Sequence, residues 1–222
     1  MDWELGMAPD GGASDDLLSR VKQGDEQALA ELFSTHRERL RRMVHFRLDP
    51  RLYGRLDADD ILQQAYLDAT KRIGHFHGDA SASFFVWLRL IVTQTLIDVH
   101  RQHLGAQMRD AGREIAERGA RYSQTTSFSL AANLLGTLTS PTLAARREEL
   151  AKLLRDTLEE MDPIDREVLA LRHFEELSNS EVAEELDIEQ KAASIRYVRA
   201  LRRLKVILAE LPGLTEIFRS GI

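Results

Sequence analysis

Residues Ser178 to Lys205 read SNSEVAEELDIEQKAASIRYVRALRRLK, and this stretch decides the fold. Ser178 stands three residues before Glu181, the spacing of a capping box, in which a hydroxyl and a carboxylate each satisfy a backbone N–H at a helix start. Val182, Ala183 and Leu186 follow on one helical face. Asp187-Ile188 leaves room only for a tight turn. Beyond it a longer helix carries Lys191, Arg196, Arg199, Arg202, Arg203 and Lys205, with no acid from Gln190 to Lys205. Ala193, Tyr197, Ala200 and Leu204 fall on the side that faces the shorter helix. Lys191, Ser194, Ile195, Arg199 and Arg202 point elsewhere. A short helix, a tight turn and a longer basic helix make a helix-turn-helix, whose second helix fits the major groove of DNA. Arginine there reaches a guanine edge or a phosphate. A solvated basic helix is the plain alternative. The cap, the turn and the acid-free run favour DNA.

Working outward, the 222-residue chain has a formal net charge of −6, which alone argues against a polyanion partner. The average hides segregation. Residues 37–55 hold arginines at 37, 39, 41, 42, 47, 51 and 55 against only Glu38 and Asp49. Local field, not net charge, steers a polyanion to a surface. Cysteine is absent, which excludes a disulfide scaffold and thiolate metal sites and is compatible with a reducing compartment. No apolar run approaches the ~20 residues of a bilayer span. The start, MDWELGMAPDGGASDD, is acidic rather than basic-then-apolar as in a signal peptide. These features predict a cytoplasmic protein without membrane insertion.

Helical periodicity dominates the rest. Leu17, Leu18 and Val21 precede Gly24-Asp25, where a short helix gives way to a long one. Asp25 is a candidate N-cap, and Leu29, Leu32, Phe33, Leu40, Met43 and Val44 continue the stripe. Ile61, Leu62, Ala65, Ala69 and Ile73 mark another helix, entered through DADDILQQAY. GHFHGDASAS reads as a loop, and Phe84, Leu88, Ile91, Val92, Thr95 and Val99 form a stripe on a helix ending near Leu104. Residues 105–145 are rich in Gly, Ala, Ser and Thr and read mostly as a flexible linker, with REIAER a fair helix former. Its hydroxyls between Ser123 and Thr142 are candidates for regulation by phosphorylation. Leu150, Leu153, Leu154 and Leu158 then give one helix, and Asp162-Pro163 starts the next. The expected architecture is all-α: a mobile tail (1–13), a helical unit (14–104), the linker (105–145), a helix-turn-helix unit (146–212) and a second tail (213–222).

The C-terminal stretch resembles the promoter-reading domain of bacterial sigma factors of the extracytoplasmic-function (ECF) type. Ser178, Glu181, Val182, Ala183, Leu186, Ile188, Arg196, Arg199 and Ala200 match that family's pattern in register. Asp187 replaces a turn glycine, Glu189 a capping serine, and Lys191, Ala192, Ser194 and Ile195 replace residues on and beside the reading surface. Three N-terminal motifs also match in order. They are Gly24-Asp25 with Ala28 and Leu32, then Ala58 to Tyr66, then Phe84, Trp87, Leu88, Ile91, Asp98 and Arg101, with Gln94 where asparagine is usual.

The resemblance implies promoter recognition with core RNA polymerase, and no catalytic group or cofactor. It implies that Asp60 and Gln63, with Asp59 and Gln64 adjacent, meet the polymerase. Phe76, His77 and Ser81 in the loop and Arg89, Thr93, Gln94, Ile97 and Arg101 on the following helix would hold the melted, start-proximal element. Lys191, Ser194, Ile195, Arg196, Arg199, Arg202 and Arg203 would read the upstream element as duplex. An anti-sigma factor is a further partner common in the family. Phe84 and Trp87 lie on or near the apolar stripe, where core packing is the expected role.

The acidic cluster admits other readings. One of Asp57 and Asp59 suits a helix N-cap, favoured by the macrodipole, but one cap needs one acceptor. Asp57-Ala58-Asp59-Asp60 looks superficially like a metal-binding acid motif, yet a second acidic motif and an aromatic-lined pocket are missing. His75 and His77 lack companion ligands and read as polar surface. The rival classes are a helix-turn-helix regulator that ignores polymerase and a metal-dependent enzyme built on these carboxylates.

Overall fold

A computed structural model describes residues 11–78, 81–104, 123–136 and 147–210. Among them the chain is all-α, with a single isolated bridge between Tyr53 and Leu56. The first four helices are α1 (Gly11–Lys22), α2 (Glu26–Arg47), α3 (Ala58–Arg72) and α4 (Ser81–Leu104). Gly24 at φ +86° makes the α1–α2 turn, a left-handed conformation that suits glycine. Asp25 caps α2 by accepting from the backbone N–H of Gln27 (2.9 Å) and Ala28 (3.1 Å). Leu29, Leu32, Leu40, Met43 and Val44 turn the buried face of α2 toward α1, α3 and α4. Burial of one such side chain contributes about 1.5–3 kcal/mol. This stabilises α1, too short to be stable alone, through Leu18 and Val21.

Helix α5 (Ser123–Gly136) lies inside the stretch read as linker. It buries Leu130, Ala131 and Leu135 together with Phe46 of α2 and with Leu154 and Leu158 of α6 (Arg147–Glu159). Its charge-free, small-residue sequence carries weak helical periodicity, so packing rather than propensity fixes it. Thr126, Ser127 and Ser129, among the candidate phosphorylation sites, are buried. REIAER lies outside the described residues.

Asp162 caps α7 (Pro163–Leu169), accepting from Ile164 and Asp165 N–H, with Pro163 at the first helical position. A π turn, Ala170–Phe174, continues α7. Then come α8 (Asn179–Leu186) and α9 (Gln190–Glu210). The capping box forms: Glu181 N–H donates to Ser178 Oγ at 3.2 Å, and Ser178 N–H donates to Glu181 Oε2 at 2.8 Å. Asp187 adopts φ 53° and ψ 49°, the left-handed C-cap normally given to glycine. Aspartate tolerates this region better than most residues.

The apolar packing falls into two clusters, and both cross between the units. Val168, Leu171, Leu177, Val182 and Ala193 join the cluster of α1–α4, and Phe46 joins that of α5–α9. Helix α8 packs on α4, and α5 packs on α2.

Candidate functional site

The three carboxylates at the start of α3 separate by role. Asp57 is the N-cap and accepts from Asp59 N–H at 3.0 Å. Asp59 is half-buried, with Arg37 at 3.2 Å and Arg41 at 3.9 Å from its Oδ1, ion pairs without hydrogen-bond geometry. Asp60 is exposed, as are Gln63 and Gln64 on the next turn. Asp59, Asp60 and Gln63 border an open pocket of about 300 Å³ whose other walls are Phe33, Arg37, Leu62 and Tyr66. The Phe33 and Tyr66 rings meet edge to face at 5.1 Å. An apolar floor with a charged and amide rim suits a side chain from another protein, the rim giving register and rate. Among the described residues no group of three or more His, Asp or Glu could hold a metal ion.

In the loop before α4, His77 is exposed. Phe76 is not available for base stacking in this arrangement. It is buried against Phe84 and Trp87, each at a ring distance of 5.4 Å. A Cβ on Gly78 would lie 2.6 Å from the Phe76 ring, so the turn closes over the ring only with glycine there. Ser81 opens α4, and its side chain lies outside the described residues.

Arg89 corrects the sequence reading more sharply. It is fully buried in this arrangement, its guanidinium taken up by carboxylates rather than turned outward. Its Nε donates to Glu175 at 2.8 Å and its Nη1 to Glu185 at 2.5 Å. Thr93 is half-buried, and its hydroxyl donates to the Arg89 carbonyl at 2.9 Å. Gln94 and Arg101 both lean on Asp98, at 3.4 and 3.5 Å, and Ile97 is half-buried. The outward side of α4 is thus Leu90, Gln94, Ile97 and Arg101, which share one helical face. Leu90, 58% exposed, was not among the sequence candidates.

On α9, Lys191, Ser194, Ile195, Arg199, Arg202 and Arg203 are exposed, and Arg196 is half-buried. Several arginines are already engaged. Arg196 Nη1 donates to Asp165 at 2.6 Å and to Asp162 at 3.2 Å. Arg199 grips Asp165 with both Nε and Nη2, and Arg203 reaches Glu160 at 3.3 Å. Burial opposes the charge on Asp165, but Arg199 and Arg196 outweigh it and hold the carboxyl below its usual range.

A buried ion network joining the units was missed by sequence reasoning. Arg47 donates to Glu175 at 2.6 Å, to Glu167 at 2.5 Å and to Thr126 at 3.1 Å. Thr126 also donates to Glu167 at 2.5 Å. Arg39 forks onto Glu181 with bonds of 2.9 and 2.7 Å, and Arg42 meets Glu176 at 2.9 Å. Burial opposes the charge on Glu175, yet Arg47 and Arg89 keep its carboxyl below the usual range. The only sequence-level signal was the run of glutamates from Glu175 to Glu185, which reads as ordinary helix surface.

Known proteins resemble this chain over most of its length. The RNA polymerase sigma-H factor of Pseudomonas aeruginosa is 26% identical over 196 residues, covering 88% of this chain and 93% of that protein. The ECF RNA polymerase sigma factor SigW of Bacillus subtilis is 26% identical over 195 residues, covering 87% of this chain and 96% of that protein. The fold matches that of CnrH, solved in complex with the cytosolic domain of CnrY, with a TM-score of 0.50 at 23% identity over 90% of this chain and 99% of that one. The family model for ECF sigma factors matches residues 14–207, nearly all of the described chain, so the protein belongs to the ECF sigma factors and directs transcription initiation by RNA polymerase.

Proposed function

We propose how this sigma factor divides its work. The face of α3 around Asp60 and Gln63, flanked by Asp59 and Gln64, docks on core polymerase. The side of α4 that carries Gln94, Ile97 and Arg101, with His77 before it, meets the melted start-proximal strand. Helix α9 reads the upstream element as duplex through Lys191, Ser194, Ile195 and Arg202, joined by Arg196, Arg199 and Arg203 once these leave their carboxylates. The units correspond to residues 14–104 and 146–212. CnrH was solved with the cytosolic domain of CnrY. By analogy of fold, an anti-sigma factor is a candidate partner here too.

One observation carries the polymerase assignment: exposed Asp60 and Gln63 rim an open pocket with an apolar floor. In a pull-down with core polymerase, Asp60→Ala and Gln63→Ala should each reduce capture, and Asp68→Ala, lower on the same helix, should not. Unchanged capture by the first two variants removes the assignment. Run-off transcription with core polymerase on a genomic library would reveal the promoter.

A further inference from the structure

The ion pairs joining the two units divide by sign. Among the described residues every cation of these pairs comes from α2 or α4, and every anion comes from α7, from Glu175 and Glu176 just after the π turn, or from α8. Such an interface is not what a permanent core needs. Buried ion pairs seldom stabilise more than apolar side chains of the same volume, because desolvation offsets their attraction. The interface is not purely ionic: Phe46, Val168, Leu171, Leu177 and Val182 also cross it, so its opening exposes some apolar surface beside charges that water readily hydrates.

The geometry also has a meaning for nucleic acid. Arg39 holds Glu181 through two parallel N–H···O bonds. That fork is how a guanidinium takes a phosphate as well as a carboxylate. The glutamates of the second unit therefore stand where phosphates would. Helix α8, half of the helix-turn-helix, lies on α4, so the two DNA-binding elements are held together. Recognition of two separate promoter elements requires them apart. This argument rests on the proposal that α4 meets the melted strand.

We infer that the interface is an autoinhibitory latch: carboxylates of the second unit occupy the arginines of α2 and α4 in place of phosphates, and the free chain binds DNA only when the units part.

The chain lacks cysteine, so labels can be placed at will. Spin labels on Arg72→Cys and Ala209→Cys, one in each unit and both at exposed positions, report the separation in the full chain. The latch variant is Glu176→Gln, Glu181→Gln and Glu185→Gln together. Glutamine preserves the capping box at Glu181. A control variant, Glu26→Gln, Glu31→Gln and Glu148→Gln, makes the same change in net charge at exposed positions away from the interface.

The latch variant should give longer and broader distances than wild type, and the control should not. The latch variant should also bind a labelled single-stranded oligonucleotide at least tenfold more tightly in 0.1 M salt, about one Debye length of 10 Å. The four arginines released when the units part, Arg39, Arg42, Arg47 and Arg89, should steepen the salt dependence of log K by about three, at roughly 0.7 per phosphate neutralised on single strands. Unchanged distances in the latch variant overturn the latch. Longer distances with unchanged affinity, or equal tightening in the control, overturn the masking of DNA-binding charge. Arg39→Gln with Arg42→Gln opens the same interface from the cation side and leaves every cap intact. It must lengthen the distance too, and it decides the matter if the glutamine triple fails to fold. Run-off transcription separates this idea from the function: a chain that supports initiation with unchanged distances keeps the function and loses the latch.

Discussion

Replacing Arg89 by methionine tests the ion network directly. The side chains are similar in length, so little cavity is opened, and the change is chiefly one of charge. Arg89 is fully buried, and its guanidinium lies 2.8 Å from Glu175, 2.5 Å from Glu185 and 3.8 Å from Glu167. Without it, Arg47 is left facing Glu167 and Glu175, and Glu185 loses its ion pair with Arg89. Breaking a buried pair by removing one partner costs about 3–5 kcal/mol, because the other charge stays desolvated. For a chain of this size that corresponds to a fall in Tm of about 6–20 °C. The matched control is Arg101→Met. Arg101 is 40% exposed and sits 3.5 Å from Asp98. An exposed pair is worth about 0–1 kcal/mol, so this variant should stay close to wild type.

The pH dependence gives a second readout. Glu175 has its carboxyl held below the usual range by Arg47 and Arg89 in the native chain. A depressed carboxylate contributes stability above its unfolded pKa, lost as pH falls through the folded one. In Arg89→Met, Glu175 loses one of the two arginines that hold its carboxyl down and takes up a proton more readily, which relieves the uncompensated charge. The gap between variant and wild type should therefore narrow as pH falls from 7 toward 4.5. Denaturant unfolding at several pH values measures it. A cost under about 1 kcal/mol at pH 7, against the ~3–5 expected, refutes the reasoning, as does a gap that widens on acidification.

Three further predictions follow from single residues. Ser178→Ala removes the oxygen that accepts from Glu181 N–H and should cost about 1 kcal/mol, with faster hydrogen exchange confined to the first turn of α8. Asp187→Val places a β-branched residue at φ 53° and should destabilise the turn by at least about 1–2 kcal/mol in thermal unfolding, whereas Asp187→Gly should fold with no such loss. Burial, reinforced by Arg39, lowers His36 from 6.5 to about 4, so the unfolded chain binds a proton between these values that the folded chain refuses. Stability should then fall by about 1.6 kcal/mol between pH 6.5 and pH 5, the slope approaching 1.36 kcal/mol per pH unit below pH 6, and His36→Leu should flatten that slope in denaturant titrations.

Local signals were legible in the sequence because their partners lie within a few residues. The capping box at Ser178 and Glu181, the cap at Asp25 and the Asp162-Pro163 start each involve spacings of one to three, and each forms. The helix-turn-helix followed from such signals. Arg89 shows where this ends. Its position beside the stripe of Leu88 and Val92 allowed it to face solvent, and its carboxylates lie 86 and 96 residues away. No periodicity carries that information. Phe76 was misread as a stacking surface because a loop aromatic next to histidines gives no hint of its folding back onto Phe84 and Trp87. Helix α5 was hidden for a different reason: its face is specified by Phe46 and α6, not by its own polar and apolar spacing. For the acidic cluster, the sequence left open whether Asp57 or Asp59 was the cap. The geometry assigns the cap to Asp57 and leaves Asp60 outward.

Fold and sequence preference are separable in the second unit. The residues that match the family pattern include those that build it. Ser178 and Glu181 start α8, Val182 is fully buried, and Ala200 seats α9 on its neighbours. The residues that depart from the pattern on α9 lie differently. Lys191, Ser194 and Ile195 are exposed, Ile195 by 58%, and Ala192 is only partly covered. Substituting them leaves the apolar cluster intact, so drift there changes what the helix reads without changing how it folds. Asp187 is the one departure with a backbone consequence, and the turn keeps its left-handed shape without glycine. A promoter preference unlike that of SigW or sigma-H is therefore compatible with the same scaffold. Exchanging Lys191, Ser194 and Ile195 for the residues of another family member should move base preference at the upstream element by about 1–3 kcal/mol per contact, read by competition binding, with the melting temperature unchanged. A large loss of stability in that exchange would show that the outward face of α9 helps hold the fold, and the separation would fail.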